Sequence, residues 1–375
     1  MDFELTDEQV MLRDTVRDVL ARTYDPESRL KITDTELGWS RDVWGQLADL
    51  GVLGLAFSEE DGGVGAGPVE TMLVLEEIGR RLAPEPVLDA VLVPGSIVAQ
   101  IGSAEQRQRV LPAVAAGEKL LAFAHNEPGV RWPSTELFVT AAQQGDGYVL
   151  SGVKNPVPHG DCADELVVSA KLPGGGTGLF LVAADATGLV RKPFRTVDGQ
   201  RGAQIEFDGT PGELLGGDRD GAEAVSIALG HAHAGLCAES IGAMEEALRL
   251  TTDYLKARKQ FGVTLSKFQT LTQRAANMYV SLELARSMSL YVTGSLADDA
   301  HDPVVASRAR LQVGRSARHI GQEAIQMHGG IGVTAEYPVG HYVARLTAIG
   351  RTLGGDLDHL KVLTAGVGNY DLVEL

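Results

Sequence analysis

The first part of the chain has the hydrophobic spacing of packed helices. Thr6-Asp7-Glu8-Gln9 has the form of a capping box, which satisfies free backbone N–H groups at a helix start. The apolar residues Leu12, Val16, Val19 and Leu20 follow it at helical spacing. The same periodicity recurs at 44–55 and 71–82, with the glycine-rich run 61–68 between them. We therefore predict that residues 1–118 form a helical domain.

The pattern changes after Gly117. Between residues 120 and 215 the apolar segments are short, and glycine-rich turns such as Gln144-Gly145-Asp146-Gly147 separate them. Long Ala- and Leu-rich stretches then return, near 222–257, 268–297 and 303–327. The sequence thus predicts an α+β, mainly α fold with three parts: a helical domain at 1–118, a central antiparallel β domain at 119–216 and a helical bundle at 217–375.

Composition and charge exclude several classes of protein. The 375 residues are 44% hydrophobic and 22% charged, which is typical of a globular protein. We expect neither a membrane span nor an export signal, because no apolar run approaches 18 residues and the N-terminus lacks a basic region. The net charge of −17 opposes nucleic-acid binding. Two cysteines, Cys162 and Cys237, are too few for a disulfide framework, and a cytoplasmic location is expected.

Several motifs lack the context that their chemistry needs. Gly330 to Ala335 fits G-x-G-x-x-A, but it follows a helical run where a dinucleotide-binding motif would follow a strand. It is a turn between helices, or a place where the backbone approaches a ligand phosphate. His231 and His233 point to different faces of a helix, so they do not form a metal site together. The sequence also lacks the G-x-S-x-G pattern of a nucleophilic serine.

One segment does combine groups suited to a cofactor. Arg258, Gln260, Phe261 and Gln269 bring an anion-binding guanidinium, an aromatic face and amide groups within twelve residues. The alternative is a basic helix end with a glycine stop. The first interpretation predicts a flat, phosphate-bearing ligand.

The chain resembles the acyl-CoA dehydrogenase family over essentially its whole length. Asn126-Glu127-Pro128-Gly129 is similar to the family segment T-E-P-x-x-G, Arg258 to Gly262 to R-x-x-F-G, and Gln326 to Gly332 to Q-x-x-G-G-x-G. Similar motifs also occur earlier in the chain, at 5–9, 50–55, 60–65 and 76–80. The family fold implies a helical domain, a β domain and a C-terminal four-helix bundle.

The resemblance implies FAD as the cofactor. Arg258 would bind its pyrophosphate and Phe261 would pack near its adenosine part across a subunit boundary, with Gln269 holding the same cofactor. Gln326, Gly329 and Gly330 would contact FAD from the other protomer, and Asn126 replaces the threonine of T-E-P. An oligomer is therefore expected, either homo-oligomeric or a hetero-oligomer with a paralogous subunit. Electron-transfer flavoprotein is the expected electron acceptor.

The family reaction needs a glutamate base for the α-proton of the acyl-CoA thioester, and both known positions for it are empty here. The position after the E-Y-P-V segment corresponds to Leu353 or Gly354, and the alternative helix position to Ala232. The ionisable neighbours are weak substitutes for such a base: His231, His233, Glu239, Asp356 and Asp358. Glu239 lies two helical turns after Ala232, about 10 Å along the axis, which is poor reach.

The flavin-facing loop also departs from the family pattern. Its W-I-T or W-V-S segment corresponds to Pro156-Val157-Pro158, and proline offers neither a hydroxyl nor an N–H. The serine of G-S-D corresponds to Ser134, after an insertion that contains Trp132.

Three functions follow from these departures. The first is an FAD-dependent acyl-CoA dehydrogenase that performs α,β-dehydrogenation with a displaced base. The second is a non-catalytic or FAD-site-completing subunit of a heteromeric acyl-CoA dehydrogenase that acts on a sterol or another bulky acyl-CoA. The third is a flavin-dependent monooxygenase on the same fold, which needs no such glutamate.

Overall fold

The chain folds as helices, then strands, then helices. The structure, a computed structural model, describes residues 4–133, 136–145, 147–217 and 220–369. The helices before the first strand are α1 (Asp7–Thr23), α2 (Pro26–Thr33), α3 (Arg41–Asp49), α4 (Pro68–Arg81), α5 (Val93–Ile101) and α6 (Ala104–Ala115), with a π-helix (Val87–Leu92) between α4 and α5.

The start of α1 forms the capping box that the sequence predicted. Gln9 donates its backbone N–H to the Thr6 hydroxyl at 3.2 Å, and the Thr6 N–H donates to the Gln9 side chain at 3.0 Å. The helix predicted at 44–55 ends before its last apolar residues. Helix α3 stops at Asp49, because Gly51 adopts φ +73°. A short 3-10 turn, Val52–Gly54, carries the remaining apolar residues into the core.

The central part is a seven-stranded sheet that curls on itself. Its strands are β1 (Leu121–Ala124), β2 (Thr140–Gln144), β3 (Gly147–Pro158), β4 (Glu165–Lys171), β5 (Thr177–Ala183), β6 (Leu189–Arg195) and β7 (Arg201–Leu214). They follow the order β1-β4-β2-β3-β7-β5, with β6 beside β7, and an extra β4–β5 pairing closes the path.

Most strand pairs are antiparallel, as predicted, but β4 runs parallel to β1 and to β2. Hairpin turn signals identify neighbouring antiparallel strands, whereas a parallel pair is joined by a long connection with no local signature. The description of this part as antiparallel therefore needs correction to a mixed sheet.

The last part is a helical bundle. Its helices are α7 (Ala222–Ala257), α8 (Gln269–Ala297), α9 (Pro303–His328), α10 (Val339–Ile349) and α11 (Asp356–Ala365), and a two-stranded ribbon of β8 (Lys259–Gln260) and β9 (Val263–Thr264) joins α7 to α8. The three long helices match the predicted ranges to within one residue. The predicted domain boundaries near 118 and 216 fall in the connections between α6 and β1 and between β7 and α7.

Two glycines bring α7 into backbone contact with α4. A Cβ on Gly79 would lie 2.0 Å from the Glu239 carbonyl oxygen, and one on Gly242 would lie 1.8 Å from that of Glu76. Neither position accepts a side chain without separating the helices. This contact fixes α7, on which the candidate site depends, against the N-terminal helices.

Among the described residues, no helix combines the length and apolar character that crossing a membrane requires.

Candidate functional site

The candidate cofactor residues of the bundle lie together at one end of it. We call them the bundle-end cluster: Arg258, Phe261, Gln269, Gln326, Gly329 and Gly330. The Tyr254 ring at the end of α7 lies 4.6 Å from that of His328 at the end of α9, which joins the two motifs. Phe261 is 91% exposed at φ +53°, and Arg258, Gln269, Gly329 and Gly330 are also exposed.

The resemblance implied that Arg258 and Gln326 contact FAD from different protomers. Within this chain both motifs lie at the same end of the bundle. The motifs are far apart in sequence, so their proximity depends on the bundle packing, which no local pattern encodes.

The bundle-end cluster is distant from the positions where a base was expected. His233 lies 25 residues before Arg258 on α7, which corresponds to about 38 Å along a straight helix axis. One chain therefore does not bring its Arg258 to its own base positions.

A large cavity lies between the β sheet and the bundle, and Asn126 lines it. We call it the arginine cavity; its volume is about 1390 Å³. Its basic lining includes Arg131, Arg315, Arg318 and Arg351. Arg131, Arg315 and Arg351 form no ion pair with any carboxylate in the described ranges, although the chain carries net charge −17. Positive charge is therefore concentrated at a cavity large enough for a dinucleotide.

The inner wall of the arginine cavity is a buried charge network. The Arg345 guanidinium on α10 donates to both carboxylate oxygens of Glu239 on α7, at 2.6 and 2.8 Å. It also donates at 2.8 Å to Asp198 in the β6–β7 turn. Burial alone would raise the pKa of Asp198, but Arg345 and the Thr196 hydroxyl outweigh it and lower that pKa. The network ties the sheet to the bundle.

A further carboxyl, Asp89, lines the arginine cavity from the π-helix. Burial raises the pKa of Asp89 to about 6, and Arg345 opposes that rise only in part. No sequence pattern marks this residue, because a π-helix has no simple hydrophobic period.

The segment expected to form a flavin-facing loop belongs to strand β3, from which Pro156 and Pro158 line the same cavity. The same strand holds a buried ion pair: Lys154 donates to Glu127 at 2.6 Å, to the His125 carbonyl and to Ser169. Burial lowers the pKa of Lys154 to about 8. The ion pair anchors this strand, and neither proline offers a hydroxyl to the cavity.

Neither predicted base position carries a free carboxylate. Of the weak substitutes, Glu239 is held by Arg345, Asp356 pairs with Arg318 at 2.8 Å, and Asp358 accepts from the Gly355 N–H as a helix cap. Burial, followed by Arg310 and His359, lowers the pKa of His233 well below its ordinary value. His233 is therefore neutral near pH 7 and a poor proton acceptor.

Trp132 stands between the two base positions. Its ring lies 5.3 Å from that of His233, next to Ala232, and 4.4 Å from that of His359. Gly354 has φ +98°, and a Cβ there would lie 2.5 Å from Trp132 Cε3. The inserted loop was visible in the sequence, but its place in the fold was not. Ser134, the predicted counterpart of the G-S-D serine, lies outside the described residues.

A second, smaller cavity adjoins Trp132 on its other side. We call it the apolar cavity; it has a volume of about 220 Å³ and is lined by Val225, Leu229, Val292, Leu296 and Val305. Pockets for drug-sized ligands usually span about 300–1,000 Å³. The apolar cavity thus has room for a short apolar group.

Family models match both helical parts of the chain. Residues 6–118 match the model for the acyl-CoA dehydrogenase N-terminal domain, and residues 219–358 match that for the C-terminal domain. The chain is 30% identical to the short-chain specific acyl-CoA dehydrogenase of Clostridium acetobutylicum, over 90% of this chain and 92% of that protein.

Two solved structures are similar over nearly the whole chain. A variant of the Tcur3481–Tcur3483 steroid ACAD gives a TM-score of 0.88 at 32% identity, covering 97% of this chain and 98% of that one. The ChsE4–ChsE5 complex from Mycobacterium tuberculosis gives 0.90 at 26% identity, covering 99% and 100%.

Proposed function

Because the chain belongs to the acyl-CoA dehydrogenase family, we propose that it serves FAD-dependent acyl-CoA dehydrogenation as a subunit whose catalytic glutamate is supplied by a paralogous chain. The observation that carries this proposal is the pair of base positions: Ala232 and Gly354 bear no acid, and Trp132 lies between them. Removal of the weakly acidic α-proton requires a carboxylate within reach of that carbon.

The residues present fit the phosphate end of FAD. Arg131, Arg315 and Arg351 present to the arginine cavity guanidinium groups that no carboxylate of the described ranges pairs, and guanidinium groups bind phosphate oxygens well. When bound, FAD supplies the hydride acceptor of the reaction. The chain's own residues orient it: the arginines hold negative charge, and Asn126 offers an amide at the cavity wall.

The bundle-end cluster would act on a cofactor held by a neighbouring subunit. Arg258 forms no ion pair with a carboxylate in the part of the chain that the structure describes, and Phe261 is almost fully exposed. Both features suit residues that are completed by another chain. An oligomer follows, and the small apolar cavity favours a partner that holds a bulky acyl group.

Two similar structures support the hetero-oligomer over a homo-oligomer. The Tcur3481–Tcur3483 and ChsE4–ChsE5 proteins each bear two chain names, and the former is a steroid ACAD. We extend to this chain a paired assembly and a sterol-derived or similarly bulky acyl-CoA. Electron-transfer flavoprotein is the proposed electron acceptor.

The proposal is tested by preparing the chain alone and together with a glutamate-bearing paralogue. Light scattering gives the mass, absorbance gives flavin per chain, and anaerobic mixing with straight-chain and sterol-derived acyl-CoAs gives flavin bleaching. We expect slow bleaching by the isolated chain and rapid bleaching by the pair. Rapid flavin bleaching by the isolated chain would contradict the proposal. Oxygen consumption, measured in the same samples, tests the monooxygenase alternative.

Arg258→Ala tests the bundle-end cluster. A charge-assisted phosphate contact contributes about 1.5–3 kcal/mol, so flavin affinity of the oligomer should fall about 12- to 160-fold. The neighbouring exposed Lys259→Ala is the matched control and should change affinity less than about twofold. A flavin affinity of Arg258→Ala within about twofold of the wild type would contradict the assignment.

A further inference from the structure

Trp132 contacts both cavities of the candidate site. It lines the apolar cavity and the arginine cavity, together with His233 on the first side and Gly354 on the second. The two cavities are therefore adjacent, and the indole is a shared wall. In a reaction between an apolar substrate and a dinucleotide, the two ligands would have to meet at this wall.

The wall is tightly packed on the side of the arginine cavity. Trp132 Cε3, Cδ2 and Cζ3 lie 2.5, 3.0 and 3.2 Å from the place where a Cβ at Gly354 would be. Contacts below 3.0 Å to a rigid ring are repulsive. A glutamate at 354 and the indole at 132 thus exclude each other in this conformation.

The two cavities also differ in charge. The apolar cavity has Asp302 at its lining, and no Lys or Arg occurs among its described lining residues. The arginine cavity carries the guanidinium groups of Arg131, Arg315 and Arg351. An acyl group would therefore bind in the apolar cavity, and a polyanion would bind in the arginine cavity.

We propose that Trp132 is a specificity-determining residue that closes the passage between the apolar and arginine cavities. It denies an acyl group in this chain access to the flavin side and occupies the space that a base-bearing chain needs. The closure follows from geometry alone, whereas its role in acyl-CoA selection rests on the proposed function.

A double-mutant cycle tests the closure. Gly354→Ala is made in the wild type and in Trp132→Ala, and the unfolding equilibrium of each protein is measured in urea. The backbone strain at φ +98° is common to both backgrounds, so it cancels, whereas the collision with the ring does not. We expect Gly354→Ala to weaken folding at least about fivefold more in the wild type than in Trp132→Ala.

If Trp132→Ala does not fold, Trp132→Leu replaces it in the same double-mutant cycle. Leucine keeps apolar packing but lacks the ring carbons that would contact a Cβ at position 354. Equal effects of Gly354→Ala in both backgrounds would overturn the closure. This result is independent of flavin or acyl-CoA binding.

Octanoyl-CoA binding tests the consequence. Calorimetric titration of the oligomer should show affinity at least about tenfold higher for Trp132→Ala than for the wild type, while Trp132→Phe, which retains a ring, stays near the wild type. Phe138→Ala, which removes an exposed aromatic side chain, controls for surface changes. In flavin-loaded protein, octanoyl-CoA should perturb this chain's visible flavin spectrum in Trp132→Ala alone.

Equal binding by wild type and Trp132→Ala, including no binding by either, would overturn the selection role. If the unfolding cycle shows coupling between positions 132 and 354 but no preparation contains flavin, the closure stands and the proposed function fails.

Discussion

Arg345→Met is expected to be among the most destabilising single substitutions in this chain. The guanidinium makes three charge-assisted hydrogen bonds, to two oxygens of Glu239 and one of Asp198. The side chains of Arg345, Asp198 and Glu239 are 14%, 1% and 4% exposed, so solvent screens the network weakly. Methionine keeps the apolar bulk and leaves both carboxylates buried without their cation.

The magnitude follows from that burial. Breaking a buried pair by removing one partner costs about 3–5 kcal/mol, and the three bonds share one donor group, so their separate contributions are not summed. Arg195→Met is the control, because Arg195 pairs with the carboxylate of Asp34 and both side chains are exposed, at 41% and 80%. Its loss should stay below about 1 kcal/mol.

The assay is urea unfolding of the full chain at about pH 7.5 and at a series of pH values below 3.8. Arg345 helps to hold the pKa of Asp198 below its usual range, so the stability from this contact is present above the unfolded-state pKa of 3.8 and is lost as the pH falls through the lower folded-state pKa. The difference between wild type and Arg345→Met should therefore shrink toward low pH. A loss below about 1 kcal/mol near neutral pH, or equal losses for Arg345→Met and Arg195→Met, would show that the buried network does not stabilise the fold to this extent.

Two further predictions concern the framework of the site. Burial raises the pKa of Glu85 from 4.5 to about 7, so its contribution to stability is present below pH 4.5 and is lost as the pH rises through 7. Glu85→Gln should remove about 3 kcal/mol of that decline, whereas the exposed Glu36→Gln should not change it. The measurement is the free energy of unfolding in urea as a function of pH. The same pH dependence for Glu85→Gln and the wild type would contradict this prediction. Gly242→Ala should lower stability by about 2 kcal/mol or more, because its Cβ would lie 1.8 Å from the Glu76 carbonyl, while Gly230→Ala in the same helix should be neutral or stabilising. Equal melting temperatures for the two alanine variants would show that α4 and α7 separate freely.

The fold was largely predictable because its strongest signals are local. The 36 residues of α7 carry a long Ala- and Leu-rich pattern, and its range agrees with the prediction. The missed helix α2 had a readable start, since Asp25 caps it and Pro26 occupies its first position. The π-helix around Asp89 has no such start signal in the sequence, because its hydrogen bonds depend on how the segment packs.

The candidate site was predictable where it rests on contiguous motifs. Arg258 and Phe261 belong to one such run, and their roles remain predictions from the resemblance. The Arg345–Asp198 contact joins residues 147 positions apart, and no spacing rule reaches that far. Trp132 was recognisable as part of an insertion, but its position over Gly354 depends on how the sheet and bundle meet.

The distance along α7 between the base positions and the bundle-end cluster has a consequence for how such chains diverge. Under the proposed function, one helix would serve two independent roles: its part near His233 lies at the expected base position, and its end near Arg258 would assist a neighbouring subunit. Substitutions that abolish the first leave the geometry of the second intact. After gene duplication, one copy of a symmetric enzyme is thus free to abandon chemistry while its sister still depends on it, and that dependence makes the pairing hard to reverse.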